Sequence, residues 1–388
     1  LTSAACAFFA ACVGIVCGAG HWPIALTALA LAFLLLTFGR RTERWLHHAL
    51  GGKDHVEYDN PYDVGMTGFI GFSSGYAAMH GCDVLLMLGT DFPYKQFFPT
   101  GISIAQVDLR PENLGRRCKL DLGIVGDVGE TIAALLPKLN PKTDRKFLDS
   151  SLAHYKDARA GLDDLARGKP GQKPIHPQYL ARLLSEQASE DAVFTADVGT
   201  PTIWAARYLK MNGRRRLVGS WVHGSMANAM AHAIGVQAAQ PARQVVSMSG
   251  DGGFAMLMGD LITLTQAKLP VKVVIFNNSV LGFVALEMKA AGFIETGVDL
   301  KNPDFAAMAR AMGIHGVRVE DPGELEGAIR DVLAHDGPAV LDVVTATQEL
   351  SMPPTITLEQ VKGFSLWVLR AVMSGRGDSV LDLAKTNL

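Results

Sequence analysis

Short apolar runs alternate with amphipathic stretches along most of this chain, a pattern typical of α/β proteins. Six runs predict buried strands in the second half, at residues 192–195, 217–218, 244–248, 271–276, 317–319 and 339–344. Three more, at residues 84–88, 102–109 and 122–125, predict a smaller sheet nearer the start. Because strands that are apolar on both faces are typical of parallel sheets, the predicted fold class is α/β with doubly wound parallel sheets.

Residues 1–39 have a different pattern, with no Asp, Glu, Lys or Arg. Apolar runs at 4–16 and 24–38 flank a short Gly-Ala-Gly-His-Trp-Pro segment, and three arginines follow between residues 40 and 44. This pattern predicts an apolar helical hairpin in a bilayer, with the remaining chain on the cytoplasmic side of the inner membrane. A pair of buried core helices is the alternative.

Polar residues follow two neighbouring predicted strands. Gly-Asp-Gly, centred on Asp251, follows the run at 244–248, and Asn277-Asn278 follows the run at 271–276. Between them, a helical pattern places Met258, Leu261, Ile262 and Leu264 on one face. A carboxylate, an amide oxygen and a carbonyl at adjacent strand ends suit Mg²⁺, and the glycines let the backbone approach a diphosphate.

The spacing of Gly-Asp-Gly, then residues 253–276, then Asn-Asn resembles the motif of thiamine-diphosphate enzymes. The resemblance implies thiamine diphosphate as cofactor, with Mg²⁺ held by Asp251, Asn278 and the Val280 carbonyl. It places the cofactor-binding residues at Gly224, Ser225, Met226, Asp251, Gly252, Gly253, Asn278, Ser279, Val280, Leu281, Gly282, Phe283 and Val284.

Two of these residues are predicted from the resemblance to act in catalysis. Met226 falls where the family has a side chain that bends the cofactor and brings its amino group onto the reacting thiazolium carbon. Phe283 matches a mobile aromatic residue near the cofactor. From the residues alone, ordinary core packing explains both equally simply.

From about residue 48 the chain resembles quinone-reducing pyruvate oxidases, through stretches such as EYDNPYDVGMTGFIGFSSG, NNSVLGFVALEMKA and PPTITLEQVKGFSLWVLRAVMSGRGD. The resemblance implies decarboxylation of pyruvate, with electrons passing through FAD to a membrane quinone. It implies flavin contacts from Phe69, Ile70, Gly71, Phe72, Phe92, Pro93, Tyr94, Lys95, Gln96 and Asp108. Asp108 follows a strand, so it is predicted either to hold a ribose hydroxyl or to cap a helix.

The chain also departs from that family. Its relatives begin with a pyrimidine-binding domain whose glutamate contacts the cofactor ring, whereas residues 1–46 resemble the last membrane helices of MgtC/SapB-family proteins and hold no carboxylate before residue 40. The predicted domains are membrane helices at 1–46, a partial central FAD-type domain at 47–140, a linker at 141–175, a thiamine-diphosphate-binding domain at 176–346 and a lipid-binding tail at 347–388.

The tail is predicted to bind a lipid surface because it contains an apolar stripe of Val361, Phe364, Trp367, Val368 and Val372. Packing of this stripe on the protein body is the alternative. The net charge of −2 argues against nucleic acid as a partner. The expected partners are pyruvate, a membrane quinone, a lipid bilayer, and a second copy or a complete partner subunit. Four interpretations stay open: a membrane-tethered thiamine enzyme, an inactive truncated fusion, an acetolactate synthase-like relative and a transport-related membrane protein.

Overall fold

The computed structural model describes residues 56–168, 173–351, 354 and 356–387 of the chain. Within them, a three-stranded parallel sheet contains β1 (Val84–Leu88), β2 (Ser103–Asp108) and β3 (Leu122–Val125), in that order. Helix α1 (Ser73–Gly81) precedes this sheet in the chain, and helix α2 (Val128–Leu135) follows it. Short 3-10 turns lie at Lys95–Phe97, Pro111–Asn113 and Leu136–Lys138. The predicted strand at 102–109 is shorter by one residue at each end.

A second parallel sheet has six strands, in the order β5-β4-β6-β7-β9-β8. The strands are β4 (Val193–Ala196), β5 (Arg216–Gly219), β6 (Val245–Gly250), β7 (Lys272–Asn277), β8 (His315–Val319) and β9 (Ala339–Val344). Their positions agree with the apolar runs in the sequence, because each central strand is buried on both faces; Val273, Val274 and Ile275 have no exposed surface. The predicted α/β class with parallel sheets is confirmed.

Helices cover both faces of the six-stranded sheet. In chain order they are α3 (Lys146–Leu165), α4 (Pro177–Gln187), α5 (Thr200–Tyr208), α6 (Asn228–Ala239), α7 (Asp251–Leu257), α8 (Leu261–Gln266), α9 (Gly282–Ala290), α10 (Phe305–Ala311) and α11 (Pro322–Ala334), followed by α12 (Leu358–Met373) and α13 (Gly377–Asn387). One core contains Phe194, Trp204 and Phe276, and the core on the other face contains Phe254 against Phe305, with ring centroids 5.1 Å apart. These two cores hold the strand ends in fixed positions.

The helix predicted between β6 and β7 is interrupted. A 3-10 turn at Met258–Asp260 separates α7 from α8. Leu261 and Leu264 are fully buried as expected, but Ile262 is 49% exposed, so its assignment to the buried face is wrong. The reason is that α8 is only six residues long and presents one i, i+3 pair to the sheet.

The segment predicted as a helical linker contains the twenty-residue helix α3. This helix packs on α1, where the Tyr155 and Phe72 rings meet edge to face at 5.4 Å. It also contacts α5, a helix that packs on the larger sheet, because Arg159 Nη1 donates to the Arg207 carbonyl over 2.8 Å. Helix α3 therefore connects the two sheets.

The C-terminal helix α12 packs on α9, and α13 packs on α12. Trp367 in α12 is fully buried, and its indole Nε1 donates to Glu295 Oε2 over 2.8 Å. Lys289 Nζ lies 3.1 Å from Glu295 Oε1 and 5.3 Å from the Trp367 ring centroid. Val361 and Val372, at the ends of the same stripe, are 49% and 58% exposed. The centre of the stripe is therefore packed on the protein body, and the role of its ends stays a prediction.

The prediction that places the chain at the inner membrane is corrected by the helices of the described residues. Over residues 56–168, 173–351 and 356–387, no helix is long and apolar enough to cross a lipid bilayer. The helical hairpin predicted for residues 1–46 lies outside the described residues.

Replacing Trp367 tests how α12 is held. Trp367→Ala is expected to lower the free energy of unfolding by about 3–5 kcal/mol, because it leaves a cavity and removes the donor to the partly buried Glu295. The measurement is urea unfolding of the purified chain. Val372→Ala, on the same helix but exposed, is the matched control and should change stability by less than about 0.5 kcal/mol. Equal effects of the two substitutions would show that α12 does not pack as described.

Candidate cofactor-binding site

The order of the larger sheet reverses between β4 and β6. The chain passes from β4 to β5 on one side, and then from β6 to β7 on the other. In open α/β sheets such a reversal leaves a crevice at the carboxyl ends of the two central strands, where ligands bind. Here the residues at those ends are Asp197-Val198-Gly199 after β4 and Gly250-Asp251-Gly252 at the end of β6.

Asp251 is the first residue of α7 and is only 3% exposed. Its Oδ1 accepts from the Gly252 amide over 2.8 Å, and its Oδ2 accepts from the Ser279 amide over 2.6 Å and from Asn302 Nδ2 over 2.8 Å. Burial raises the pKa of Asp251 above its usual value, and these hydrogen bonds act in the opposite direction. A buried carboxylate in this setting is well suited to a cation, which would offset the cost of burying its charge.

The turn after β7 lies directly beside Asp251. Ser279 has a left-handed backbone, with φ 59°, and the Asn278 side-chain oxygen accepts from the Val280 amide over 3.2 Å. The Asn278 carbonyl accepts from Thr347 Oγ1 over 2.8 Å. These contacts fix the turn that contains the predicted ligands Asn278 and Val280 next to the predicted ligand Asp251.

The oxygens available here fit magnesium. Within the described part of the chain, no group of three His, Cys, Asp or Glu side chains is placed to hold a metal ion. A metal at this edge would therefore use one carboxylate, one amide oxygen and one carbonyl, together with water and phosphate. Mg²⁺ is commonly bound by few protein ligands of this kind.

Gly252 and Gly253 form a cradle that larger residues would fill. A Cβ atom on Gly253 would collide with Asp197 Oδ2, and one on Gly252 would lie 2.8 Å from Leu281 Cδ2. A small cavity of about 20 Å³ at the first turns of α5 and α9 is lined in part by Thr200, Asn278 and Gly282. Larger residues are therefore excluded at Gly252 and Gly253, and the close approach of a diphosphate to this backbone stays a prediction.

The segment predicted to hold the thiamine lies across the crevice from Asp251. The Ser225 carbonyl accepts from Asn228 Nδ2 over 2.6 Å, and Ala227 has a left-handed backbone with φ 62°, so α6 begins at Asn228. Met226 is 38% exposed, and its Cε lies 3.3 Å from a Cβ built on Gly252. That exposed fraction is larger than core packing would leave, although the catalytic role of Met226 stays a prediction.

The remaining predicted thiamine-site residues lie at the start of α9. Gly282 begins this helix, and Leu281 precedes it. Phe283 is half-buried and packs against the core that contains Trp204, whereas Val284 is 46% exposed. The geometry brings this segment to the crevice; the mobile role predicted for Phe283 stays a prediction.

The predicted flavin contacts form an aromatic cluster beside the smaller sheet. Phe69 lies 4.6 Å from Tyr94 between ring centroids, and Phe92 lies 5.5 Å from Tyr94. Phe72 is buried, and the Ile70 and Gly71 carbonyls accept from Arg207. The other residues of this prediction, Pro93, Lys95 and Gln96, lie at or beside the 3-10 turn at Lys95–Phe97.

Asp108, predicted either to hold a ribose or to cap a helix, is 7% exposed at the end of β2. Its Oδ1 accepts from the Arg110 amide over 2.9 Å, and its Oδ2 accepts from Asn113 Nδ2 over 3.2 Å. Both oxygens therefore stabilise the following 3-10 turn, and flavin binding stays a prediction.

Asp197, which is not among the predicted site residues, lies in the crevice at the carboxyl end of β4. It is 2% exposed, and its Oδ1 accepts from the Ala229 amide over 2.9 Å. Its Oδ2 has no hydrogen-bond partner among the residues that the structure describes. Burial raises the pKa of Asp197 from 3.8 to about 6, although the bond to Ala229 opposes the increase. The only available signal in the sequence was an acidic residue directly after a predicted strand.

Comparisons with known proteins agree with this geometry. Residues 197–343 match the C-terminal TPP binding domain of thiamine pyrophosphate enzymes, and residues 15–135 match their central domain. The chain belongs to the thiamine pyrophosphate enzyme family, which confirms the family predicted from the Gly-Asp-Gly and Asn-Asn motif. The match to the central domain begins within the segment predicted to be membrane helices, and none of these matches supports the MgtC/SapB likeness.

Individual relatives add detail. The chain is 36% identical over 338 residues to YdaP of Bacillus subtilis, named as thiamine pyrophosphate-containing, covering 87% of this chain and 58% of that protein. It is 30% identical over 302 residues to the acetolactate synthase isozyme 2 large subunit of Escherichia coli, covering 76% and 53%. It is 30% identical over 275 residues to the pyruvate oxidase of Lactiplantibacillus plantarum, covering 69% and 45%. The chain thus spans about half the length of these relatives.

Asp197 is expected to make stability depend on pH. Because its pKa is raised on folding, its ionisation favours the unfolded state, and this cost develops as the pH rises from about 4 to about 7. Asp197→Asn, which cannot ionise, should be more stable than the natural protein by up to about 3 kcal/mol at pH 8, with the difference vanishing near pH 4.

Urea unfolding at several pH values is the measurement. Asp157→Asn, at an exposed position on α3, is the control and should behave like the natural protein throughout. A stability difference for Asp197→Asn that does not change with pH would contradict the buried, ionisable state assigned to Asp197.

Proposed function

We propose that this chain provides the diphosphate and magnesium half of a thiamine diphosphate site in an enzyme that decarboxylates pyruvate. The observation that carries the proposal is the contact between Asp251 and the Ser279 amide, beside two glycines that admit no side chain. This contact joins both halves of the motif at one edge of the sheet. The family membership supports the cofactor, and the pyruvate oxidase relative supports the substrate.

In the proposed site, Asp251, Asn278 and the Val280 carbonyl would hold Mg²⁺, whose positive charge would offset the negative charges of the carboxylate and the diphosphate. The first turn of α9, which begins at Gly282, lies near the same place, and the amides of a helix N-terminus can face an anion. Thiamine diphosphate supplies the thiazolium carbon that adds to the carbonyl of a 2-oxo acid and takes up the electrons left when CO₂ departs. The protein residues hold the charged end of the cofactor and keep it oriented.

Met226 would support the cofactor from the side opposite Asp251. Its position near Gly252 and its partial exposure fit a side chain that fills space below a bent cofactor. Phe283, at the first turn of α9, would close one side of the substrate space. Both roles follow from the family resemblance, and the contacts described above support them.

The finer proposal concerns the fate of the electrons. We infer transfer to FAD and then to a quinone, because the stretches after Asn277 and in the C-terminal tail resemble quinone-reducing pyruvate oxidases. The rings of Phe69, Phe92 and Tyr94 offer an apolar surface for a flavin. The similarity to an acetolactate synthase subunit makes carbon–carbon bond formation the second candidate.

The proposed reaction also needs a carboxylate against the aminopyrimidine ring, which the family resemblance assigns to a pyrimidine-binding domain of a partner subunit. Acid–base groups of this kind typically contribute about 10²- to 10⁴-fold in rate. We therefore propose that the chain works as a homo-oligomer or with a complete partner subunit. An inactive remnant would bind the cofactor without completing the reaction.

Calorimetric titration with thiamine diphosphate tests the site. The natural chain is expected to bind the cofactor in the presence of Mg²⁺ and not after its removal with a chelator, because Asp251 would repel an unneutralised diphosphate. Asp251→Ala should abolish the magnesium-dependent binding. Binding that is unchanged in Asp251→Ala, or that needs no metal, would show that the cofactor lies elsewhere.

Product analysis tests the reaction. The purified chain is supplied with Mg²⁺, thiamine diphosphate, FAD, pyruvate and a quinone analogue, with and without a separate pyrimidine-binding domain. Acetate and reduced quinone formed only with that domain would support the proposal, and acetolactate would favour the second candidate. Cofactor binding without either product in the completed mixture would support the inactive remnant.

A further inference from the structure

A continuous chain of polar side chains crosses the carboxyl edge of the larger sheet and ends at Asp251. Arg318 of β8 donates through Nη1 to Asp342 Oδ2 of β9 over 2.6 Å. Asn277 of β7 donates through Nδ2 to Asp342 Oδ1 over 2.8 Å. Asn302, which precedes α10, donates through Nδ2 to Asn277 Oδ1 over 2.9 Å and to Asp251 Oδ2 over 2.8 Å. Four strand ends are thereby connected through their side chains.

The ion pair between Arg318 and Asp342 determines the direction of the other hydrogen bonds in this network of side chains. Asp342 is fully buried and bound to Arg318, so it acts as an acceptor. Asn277 must then turn its NH₂ group towards Asp342 and its oxygen towards Asn302. Asn302 must in turn present its own NH₂ group, whose two hydrogens are used by Asn277 and Asp251. The amide of Asn302 is therefore oriented by the Asp342 carboxylate, to which it is linked through Asn277.

This arrangement makes the two oxygens of Asp251 different. Oδ2 already accepts two hydrogen bonds, from Ser279 and from Asn302. Among the residues that the structure describes, Oδ1 accepts a single side-chain or loop hydrogen bond, from the neighbouring Gly252 amide. A carboxylate oxygen has about two lone-pair sites, so Oδ1 is the oxygen with capacity left for a cation.

We propose that Asn302 is a positioning residue that holds Asp251 by its Oδ2 and so presents Oδ1 to magnesium. The inference rests on the proposed function, because it assigns a role to Asn302 only if Asp251 binds the metal. The Asn277–Asp342–Arg318 chain keeps the Asn302 amide in the required orientation. Groups that hold a metal ligand in this way typically change metal affinity by about 10- to 100-fold when they are removed.

The surroundings of Asn302 decide which substitution is informative. A cavity of about 240 Å³ beside it is lined by Asn277, Ser279, Arg318 and neighbouring residues. A shortened side chain leaves room for water, which replaces part of the lost hydrogen bonding. Leucine has the branched shape of asparagine with a larger volume and without its donors, so Asn302→Leu removes both hydrogen bonds and leaves less space for water.

The test is a titration of Mg²⁺ into the chain at saturating thiamine diphosphate, with cofactor binding followed by calorimetry. Asn302→Leu is expected to raise the half-saturating Mg²⁺ concentration by about 10-fold or more. Asn302→Ala should raise it by a smaller factor, and it replaces Asn302→Leu as the test if the leucine variant fails to unfold cooperatively. At saturating Mg²⁺, the affinity of both variants for thiamine diphosphate should return to that of the natural protein.

Asn212→Leu provides the matched control, because Asn212 also donates from its amide to a carboxylate, Glu190, and both residues precede strands β4 and β5, at the edge of the sheet opposite the crevice. Its Mg²⁺ dependence should equal that of the natural protein. An unchanged half-saturating Mg²⁺ concentration in Asn302→Leu, or cofactor affinity that excess Mg²⁺ does not restore, overturns the positioning role. If the natural chain itself shows no Mg²⁺-dependent binding, the proposed function fails, and the inference fails with it.

Discussion

The site depends on a single negative charge buried at the end of a strand. Asp251 is nearly inaccessible to solvent, and a carboxylate in that position is costly unless hydrogen bonds and a cation compensate for the lost water. The fold provides the hydrogen bonds from three different segments: its own helix, the turn after β7 and the loop before α10. The remaining compensation is the part that a cation would supply, so binding of the metal and stability of the site are physically linked.

The sheet order explains why these segments meet. Because the order reverses between β4 and β6, no helix covers the carboxyl ends of those strands, and the residues that follow them line a crevice. Asp251 and Asp197 lie on either side of this crevice, each buried and each with its pKa raised by burial. Two buried carboxyl groups so close to the proposed diphosphate site favour binding of a positive charge in this region.

Much of this arrangement was predictable from the sequence, because its signals are local. Apolar runs identified the strands, and Gly-Asp-Gly with Asn-Asn placed the predicted metal ligands at neighbouring strand ends. Asn302 was not predictable, because it meets Asp251 across 51 positions of sequence through a loop without periodicity. Ile262 and Trp367 show a second limit of sequence patterns. The patterns predicted apolar helix faces that contain these residues, but tertiary packing decides which residue of a face is buried: Trp367 is buried and Ile262 is exposed.

The central claim is that Asp251 and the turn after β7 bind a divalent cation together with a diphosphate. The most direct measurement replaces Mg²⁺ by Mn²⁺ in the complex with thiamine diphosphate and records the magnetic coupling of the metal to phosphorus by electron–nuclear double resonance. The account predicts phosphorus coupling in the natural chain and its loss in Asp251→Asn. Bound Mn²⁺ without phosphorus coupling, or coupling that persists unchanged in Asp251→Asn, would contradict it.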